Sequence, residues 1–534
     1  MFFQRKLIRK LKNSWGKKPE GEYREGDMTW IRSWYDDYSK SNPNQFYVDD
    51  TTWKDLDMDD VYKRINACCS TAGEQSLYYM LRHPMDRADF ERQAGLISMM
   101  EEEPDTRLTL QKILSKVGIY RSVWLGNLLH PQDPSRFWLV IYSLLALFLP
   151  VSIACVLLIG TGVIWMPFLS LLLNLGVHDL RQHRCQNEIC TVNYCVLLVF
   201  TLRRMRRLKH SRLDHYLEKA YADMDPLRFV LRFGSIAAQK NTNDLLDALM
   251  PFLMWDLVYF EVIKSRLVKY HRNFEIIHEA VGGVDAAISV ASYRASTETF
   301  SVPVIDYDAD HPYIHAEKMV HPLLSGAVPN DVMLDRSLLI TGSNASGKST
   351  YLRAAVLSAL LAQTICTSPC ASYSGSPFRI YSSMALSDNL LSGESYYIAE
   401  IKSLKRILDS MPGNGFVLCA IDEVLRGTNT IERIAASSEV LKALREKGIL
   451  SLIATHDLEL CGMAGEGYDM AHFEEHITDT DIVFDYLLRP GPATSRNAIH
   501  LLKLIGFDDT IVRAAHDRAD RYLKTGKWEE AQSE

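Results

Sequence analysis

Apolar positions along this chain follow three regimes. Residues 55–125 and 179–300 repeat them at helical spacing with few strand signals, which predicts long helices. Between these lies FWLVIYSLLALFLPVSIACVLLIGTGVIWMPFLSLLLNLGV, residues 137–177, without one charged side chain. After residue 301 the texture changes to short apolar runs that end in polar or charged residues, the pattern of buried strands meeting a site.

A membrane-crossing helix needs about 20 apolar residues, so the uncharged run suffices for two. Gly160-Thr161-Gly162 is the expected turn. The second half, 163–177, is short and contains Pro167, which suits a re-entrant or tilted path. Helices of soluble domains carry a polar stripe. Here only scattered Ser, Thr, Tyr and Asn interrupt the run, so lipid insertion is expected. Arg136 precedes it; Arg181, Arg184, Arg203, Arg204, Arg206, Arg207 and Lys209 follow. Positive charge on both flanks predicts a hairpin with both ends cytoplasmic. Two weaker stretches, 189–200 and 245–263, read as core helices. The first nineteen residues carry seven Lys or Arg and no acid, with Phe3, Leu7, Leu11 and Trp15 four apart. That basic amphipathic helix suits an anionic lipid surface, with nucleic-acid phosphate or a solvated terminus as alternatives.

Composition narrows the picture. At 534 residues, 47% apolar and 23% charged, the chain is a folded protein of several domains. A net charge of −7 gives no global attraction to polyanions, so such affinity must come from local patches like RRMRRLKH, 203–210. The 10 cysteines form no CxxC pair. Cys185, Cys190 and Cys195 recur every five residues near His178 and His183, a step that rotates about 140° on a helix and cannot gather the thiols on one face. Reduced, structural thiols are expected.

The chemistry lies in the last third. SLLIT (337–341) predicts a strand, and Gly342 to Ser349 fits GxxxxGK[ST]. Gly342 and Gly347 let backbone N–H groups turn onto phosphate oxygens. The loop Gly342, Ser343, Asn344, Ala345, Ser346, Gly347, Lys348, Ser349 and Thr350 is therefore the predicted nucleotide cradle. Lys348 would neutralise the outer phosphates and Ser349 would ligate Mg²⁺. FVLCAIDEVLRGTNT (416–430) predicts a buried strand delivering Asp422 to Mg²⁺ and Glu423 to the attacking water. ILSLIATHDLEL (449–460) ends a further strand at His456, a candidate γ-phosphate sensor. Ser392 and Gly393 open a helix in SDNLLSGESYYIAEIKSLKRIL (387–408), read either as a helix cap or as a contact for another subunit's phosphate.

Order and spacing of these stretches resemble the MutS ATPases of DNA mismatch repair. HPLLSGAVPNDVML (321–334), TGSNASGKSTYLR, LLSGESYYIAEI, IDEVLRGTNTIE, ATHDLEL and LLRPGPATSRNAIHLLKLIGFDDTIVRAA (487–515) carry the likeness. Ser343, Ala345 and Ser346 stand where the family usually has Pro, Met and Gly. Weaker likeness reaches 56–85 and 284–296, on both sides of the apolar run, and argues that both sides share a compartment. No mismatch-recognition domain, full-length DNA clamp or nuclease domain is evident, so the resemblance does not extend to mismatch reading.

The resemblance implies an α/β P-loop ATPase domain of the ABC/MutS type joined to an all-α lever region that carries the transmembrane hairpin. The expected parts are a basic amphipathic helix (1–24), helical core (25–136), hairpin (137–177), helical core (178–300), ATPase domain (301–520) and tail (521–534). It further implies ATP with Mg²⁺ hydrolysed in a homodimer. Lys348, Ser349, Asp422, Glu423 and His456 would come from one copy, and Ser392 and Gly393 from the other. Double-stranded DNA is the expected substrate of the clamp, the lipid bilayer its anchor through 137–177, and the cell membrane, as a multi-pass protein with a cytoplasmic ATPase domain, its location. An ABC-type engine and a nucleotide-controlled membrane scaffold are the rival readings.

Overall fold

The computed structural model describes residues 2–120, 136–233, 252–343, 346–384, 396–410, 415–477, 482–493 and 506–525, with the single residues 499, 502 and 528. The chain divides into two compact units: Met1–Tyr47 with Tyr62–Glu298, and Val48–Val61 with Thr299–Glu534.

The first unit is helical. Its helices are α1 (Phe2–Ser14), α2 (Asp27–Ser41), α3 (Thr71–Arg82), α4 (Arg87–Glu102), α5 (Pro104–Leu114), α6 (Arg136–Ile159), α7 (Trp165–Arg206), α8 (Ser211–Asp223), α9 (Arg228–Phe233), α10 (Trp255–Lys269) and α11 (His271–Ala295). α3 crosses α11 at close range. A Cβ at Gly282 would stand 2.5 Å from the Ala72 carbonyl oxygen, and one at Gly73 2.3 Å from Asp285 Oδ2. Asp285, fully buried on α11, accepts hydrogen bonds from Ser70 Oγ at 2.6 Å and from the Cys69 N–H. Burial pushes its carboxyl up to about 7. Two stretches that flank the apolar run in sequence, 62–85 and 284–296, thus pack into one unit.

The uncharged run forms a helical pair. α6 ends at Gly160, whose φ of 106° suits glycine, and one 3₁₀ turn (Thr161–Val163) leads into α7. Residues 163–177 are not a separate re-entrant piece. They begin a continuous helix of 42 residues, which also absorbs 189–200. Pro167 is tolerated because it falls in the first turn, where an N–H has no intrahelical acceptor. Just 11% of the most apolar stretch of α6 is buried, and 17% of that in Thr161–Arg206. Leu144, Leu147, Leu157, Leu158, Phe168 and Leu172 are all exposed. Both helices are long and apolar enough to cross a membrane.

Between Ser170 and His178 the inner face of α7 is polar. Asn174 Nδ2 donates to the carbonyl of Phe252 at 2.6 Å, and His178 Nε2 lies 2.8 Å from Asp256 Oδ2. Arg181 Nε donates to Tyr142 Oη at 2.5 Å and its guanidinium stacks 4.2 Å over Trp138. These contacts tie α6, α7 and the start of α10 together. Of the stretch 245–263, residues 245–251 lie outside the described residues; the rest includes α10, a packed helix as expected. At the N-terminus, Leu11 is buried and Trp15 lies 3.4 Å beneath the Arg107 guanidinium, so the apolar side of α1 is applied to α5.

The second unit is α/β. Strands β1 (Val304–Ile305), β2 (Ile314–Met319), β3 (Asn330–Leu334), β4 (Ser337–Thr341), β5 (Ser372–Gly375), β6 (Phe378–Ser383), β7 (Phe416–Asp422), β8 (Leu450–Ala454), β9 (Tyr468–Ile477) and β10 (Ile482–Pro490) form two sheets. A four-stranded sheet runs β1-β5-β2-β3, and a six-stranded one β10-β9-β4-β8-β7-β6. In the larger sheet β6, β7, β8, β4 and β9 are parallel and β10 is antiparallel. β4 and β8 are buried at every position, as strands covered on both faces must be. Helices α12 (Lys348–Ile365), α13 (Tyr396–Asp409), α14 (Thr430–Glu446) and α15 (Asp509–Thr525) accompany the sheets. Almost all of α12 is buried, so it reads as apolar all round.

Apart from one early segment, the α/β unit begins at Thr299. Val48–Val61 belongs to the α/β unit. Asp55 Oδ2 accepts from Ser382 Oγ at 2.7 Å and from the Met384 N–H at 3.0 Å, while Thr52 Oγ1 accepts from the Ser382 N–H. Arg406 of α13 pairs with Asp49. These polar anchors fix the segment to the end of β6.

Candidate functional site

The site forms where parallel strands end, as open α/β sheets dictate. β4 runs into Gly342, whose φ is 144°; a Cβ there would sit 2.9 Å from the Phe473 carbonyl oxygen. Gly347, at φ 107°, opens α12. The Lys348 ammonium folds back and donates to the carbonyls of Gly342 at 2.8 Å and Ser343 at 2.7 Å. Burial lowers its pKa to about 8, although Asp422 and Glu423 pull the other way.

Two strands away, β7 ends at Asp422, whose Oδ2 accepts from Ser349 Oγ at 2.6 Å. Glu423 follows with φ 64°, and Leu425 has φ 61°. Left-handed non-glycine backbone costs roughly 1–3 kcal/mol per residue and survives where neighbours fix it. Here the Glu423 N–H donates to the carbonyl of Ala454, which ends β8. Glu423 Oε1 stands 2.9 Å from His456 Nε2, and Oε2 stands 2.7 Å from Arg426 Nε. Burial would raise the Glu423 pKa. The hydrogen bond with His456 and the charges of Arg426, His456 and Lys348 outweigh it and hold the carboxyl below its usual range. Asp457, next to His456, clamps Arg433 through both oxygens at 2.9 and 2.6 Å.

These groups line one cavity of about 680 Å³. Ser346, Gly347, Lys348, Ser349, Thr350, Asp422, Glu423 and His456 all border it. Gly342 and Ser343 sit behind it, with Ser343 Oγ donating to Glu475 at 2.6 Å. Asn344, Ala345, Ser392 and Gly393 lie outside the described residues. The opposite wall holds Leu324, Ala327, Val328, Phe473 and Tyr486, which the sequence reading missed. Asn330 fixes this wall. Its Nδ2 donates to the Tyr486 carbonyl at 2.9 Å and its Oδ1 accepts from the Leu488 N–H at 2.8 Å, at a bulge where Tyr486 takes φ 56°. The alternation of β10 carries a signal for a strand but none for that bulge.

Residues 338–522 match MutS domain V. The chain is similar to MutS proteins over more than half of its own length. It is 31% identical over 333 residues to a protein of Halobacterium salinarum named "DNA mismatch repair protein MutS 2", covering 58% of this chain and 38% of that one. It is 35% identical over 342 residues to a protein of the same name from Haloarcula marismortui, covering 57% and 36%. "DNA mismatch repair protein MutS" of Carboxydothermus hydrogenoformans is 30% identical over 316 residues, covering 55% and 36%. The chain thus spans 36–38% of the length of these relatives.

MutS domain V is a P-loop ATPase domain, and the residues present fit a magnesium–nucleotide. Two glycines leave room that a Cβ would fill, Lys348 supplies a cation beside the loop, and Ser349 and Asp422 already meet. Ser346 Oγ is buried and has no hydrogen-bond partner among the described residues, one more donor for a phosphate oxygen. Mg²⁺ held by Ser349 and Asp422 would supply charge neutralisation at the phosphates.

Proposed function

We propose that this chain is a MutS-type ATPase that works as a pair of copies, acts on duplex DNA, and is rooted in the cell membrane by residues 137–177. The observation that carries the reading is the convergence of Lys348, Ser349–Asp422 and Glu423–His456 on one cavity of a MutS domain V. Lys348 neutralises the outer phosphates. Glu423, ionised and oriented by His456 and Arg426, positions the attacking water and takes its proton. Ser392 and Gly393 of the second copy complete the site at the γ-phosphate, so that ATP closes the pair and hydrolysis opens it. The DNA partner is inferred from the relatives' printed role in mismatch repair. The anchor rests on two exposed apolar helices, basic residues on both flanks, and the packing of both flanks into one unit, which keeps the ATPase domain on the cytoplasmic side.

The test is the ATPase rate of purified protein and of Glu423→Gln, each with and without homoduplex, mismatched and branched DNA. The expected result is a DNA-dependent wild-type rate and turnover at least about 100-fold lower in the variant, with ATP binding kept. A variant that turns over at the wild-type rate removes Glu423 from its role. A wild-type rate indifferent to every DNA favours a nucleotide-controlled scaffold instead.

A further inference from the structure

At the end of α7 farthest from the apolar run, Arg203, Arg206 and Arg207 meet Arg228 of α9 around a cavity of about 430 Å³, floored by Met224 and Leu231. Arg206 and Arg207 are exposed and Arg203 half-buried. Among the described residues, neither Arg203 nor Arg207 has a carboxylate at ion-pair distance. Arg228 pairs with Asp225 at 3.1 Å, an exposed contact worth little in water. Arg206 lies over the Tyr221 ring, 5.3 Å from its centre. The remaining acids beside the cluster are Asp214, which accepts from Tyr221 Oη, and Glu218, on the neighbouring cavity. Arginines in a last turn also offset the negative end of a helix. That accounts for one or two of them, not for a fourth brought in by another helix.

We propose that this four-arginine cavity is a binding site for the backbone phosphates of nucleic acid. Guanidinium forks match phosphate oxygens through paired hydrogen bonds, and the partners that would otherwise occupy them are few here. Anionic lipid is the other polyphosphate surface within the chain's reach, and helix length disfavours it. From Val177 to Arg203 an unbroken α7 rises about 39 Å at 1.5 Å per residue. Even tilted by 40°, it lifts the cluster about 30 Å from the lipid hydrocarbon. The headgroup layer is about 5–8 Å deep, and charges in physiological salt are screened within about 8 Å. The cavity therefore stands clear of the membrane to which the same helix leads. This site deepens the DNA reading given above and rests on it.

The experiment compares detergent-solubilised full-length protein with Arg203→Gln/Arg207→Gln/Arg228→Gln for binding of duplex DNA across a salt series, with ATP binding and thermal unfolding midpoint as folding controls. The site predicts at least about a 10-fold loss of affinity at low salt, and a slope of log K against log salt that falls by about 2–3, with the controls unchanged. If wild type binds DNA and the variant matches it in affinity and slope, this site is wrong while the DNA reading stands. If wild type binds no DNA at any salt, the DNA reading falls and this site with it. If the substitutions instead weaken only binding to vesicles containing anionic phospholipid, lipid is the ligand and the proposal is overturned.

Discussion

Lys348 carries a pH signature that follows from its surroundings. Burial holds its pKa at about 8 instead of 10.5. A phosphate beside the amine would favour the charged form and raise that value, so nucleotide binding takes up a proton once the free site has lost it. Affinity is then constant below about pH 8 and weakens as pH rises through 8. Calorimetry of ATP binding between pH 7 and 9.5, in buffers of different ionisation enthalpy, checks this. The expectation is a loss approaching tenfold per pH unit above about 8, with proton uptake, both absent in Lys348→Ala. A flat affinity profile contradicts the assignment. Residues of this kind were legible in the sequence because a strand, a glycine loop and a helix lie within twenty positions and fix one another locally. Asp422, Glu423 and His456 were legible for the same reason, each at the end of an apolar run. Phe473, Tyr486 and Asn330 were not, because the wall they build joins β3 to β9 and β10 across 156 positions.

At the scale of elements, α6 and α7 present apolar faces that no described residue of their own unit covers. The uncharged run announced the pair, but not the polar seam inside it. His178 finds Asp256 and Asn174 finds Phe252 across 78 residues, a separation no helical periodicity encodes. The same long-range pairing moved Val48–Val61 out of the helical core, because Asp55 answers donors more than 300 positions away. The seam holds polar groups inward and leaves the exposed positions of 137–159 and 164–177 apolar, which is the arrangement lipid demands. Leu147, 60% exposed on α6, tests it. An arginine there costs about 2.5–3.5 kcal/mol in hydrocarbon and within about 0.5 kcal/mol on a water-facing surface. We expect wild type to stay with membranes after alkaline carbonate washing and Leu147→Arg to be lost from that fraction. Wild type released by the wash, or a variant that remains, contradicts the anchor.

On the function proposed above, the α/β engine and a helical unit rooted in lipid would be parts of one machine that works in pairs. In that machine the nucleotide would be held between two copies. Mixing two inactive variants tests this most directly: Lys348→Ala, which spoils the loop, and Gly393→Asp, which spoils the contact offered to the partner. In a mixed pair one site inherits both defects and the other inherits neither, so equal mixing restores about one quarter of the wild-type rate when sites are shared by a two-fold pair. ATPase activity of the mixture, co-reconstituted in bilayers, is the measurement. Recovery toward that quarter is the predicted result, and a mixture as inactive as its two components contradicts the claim.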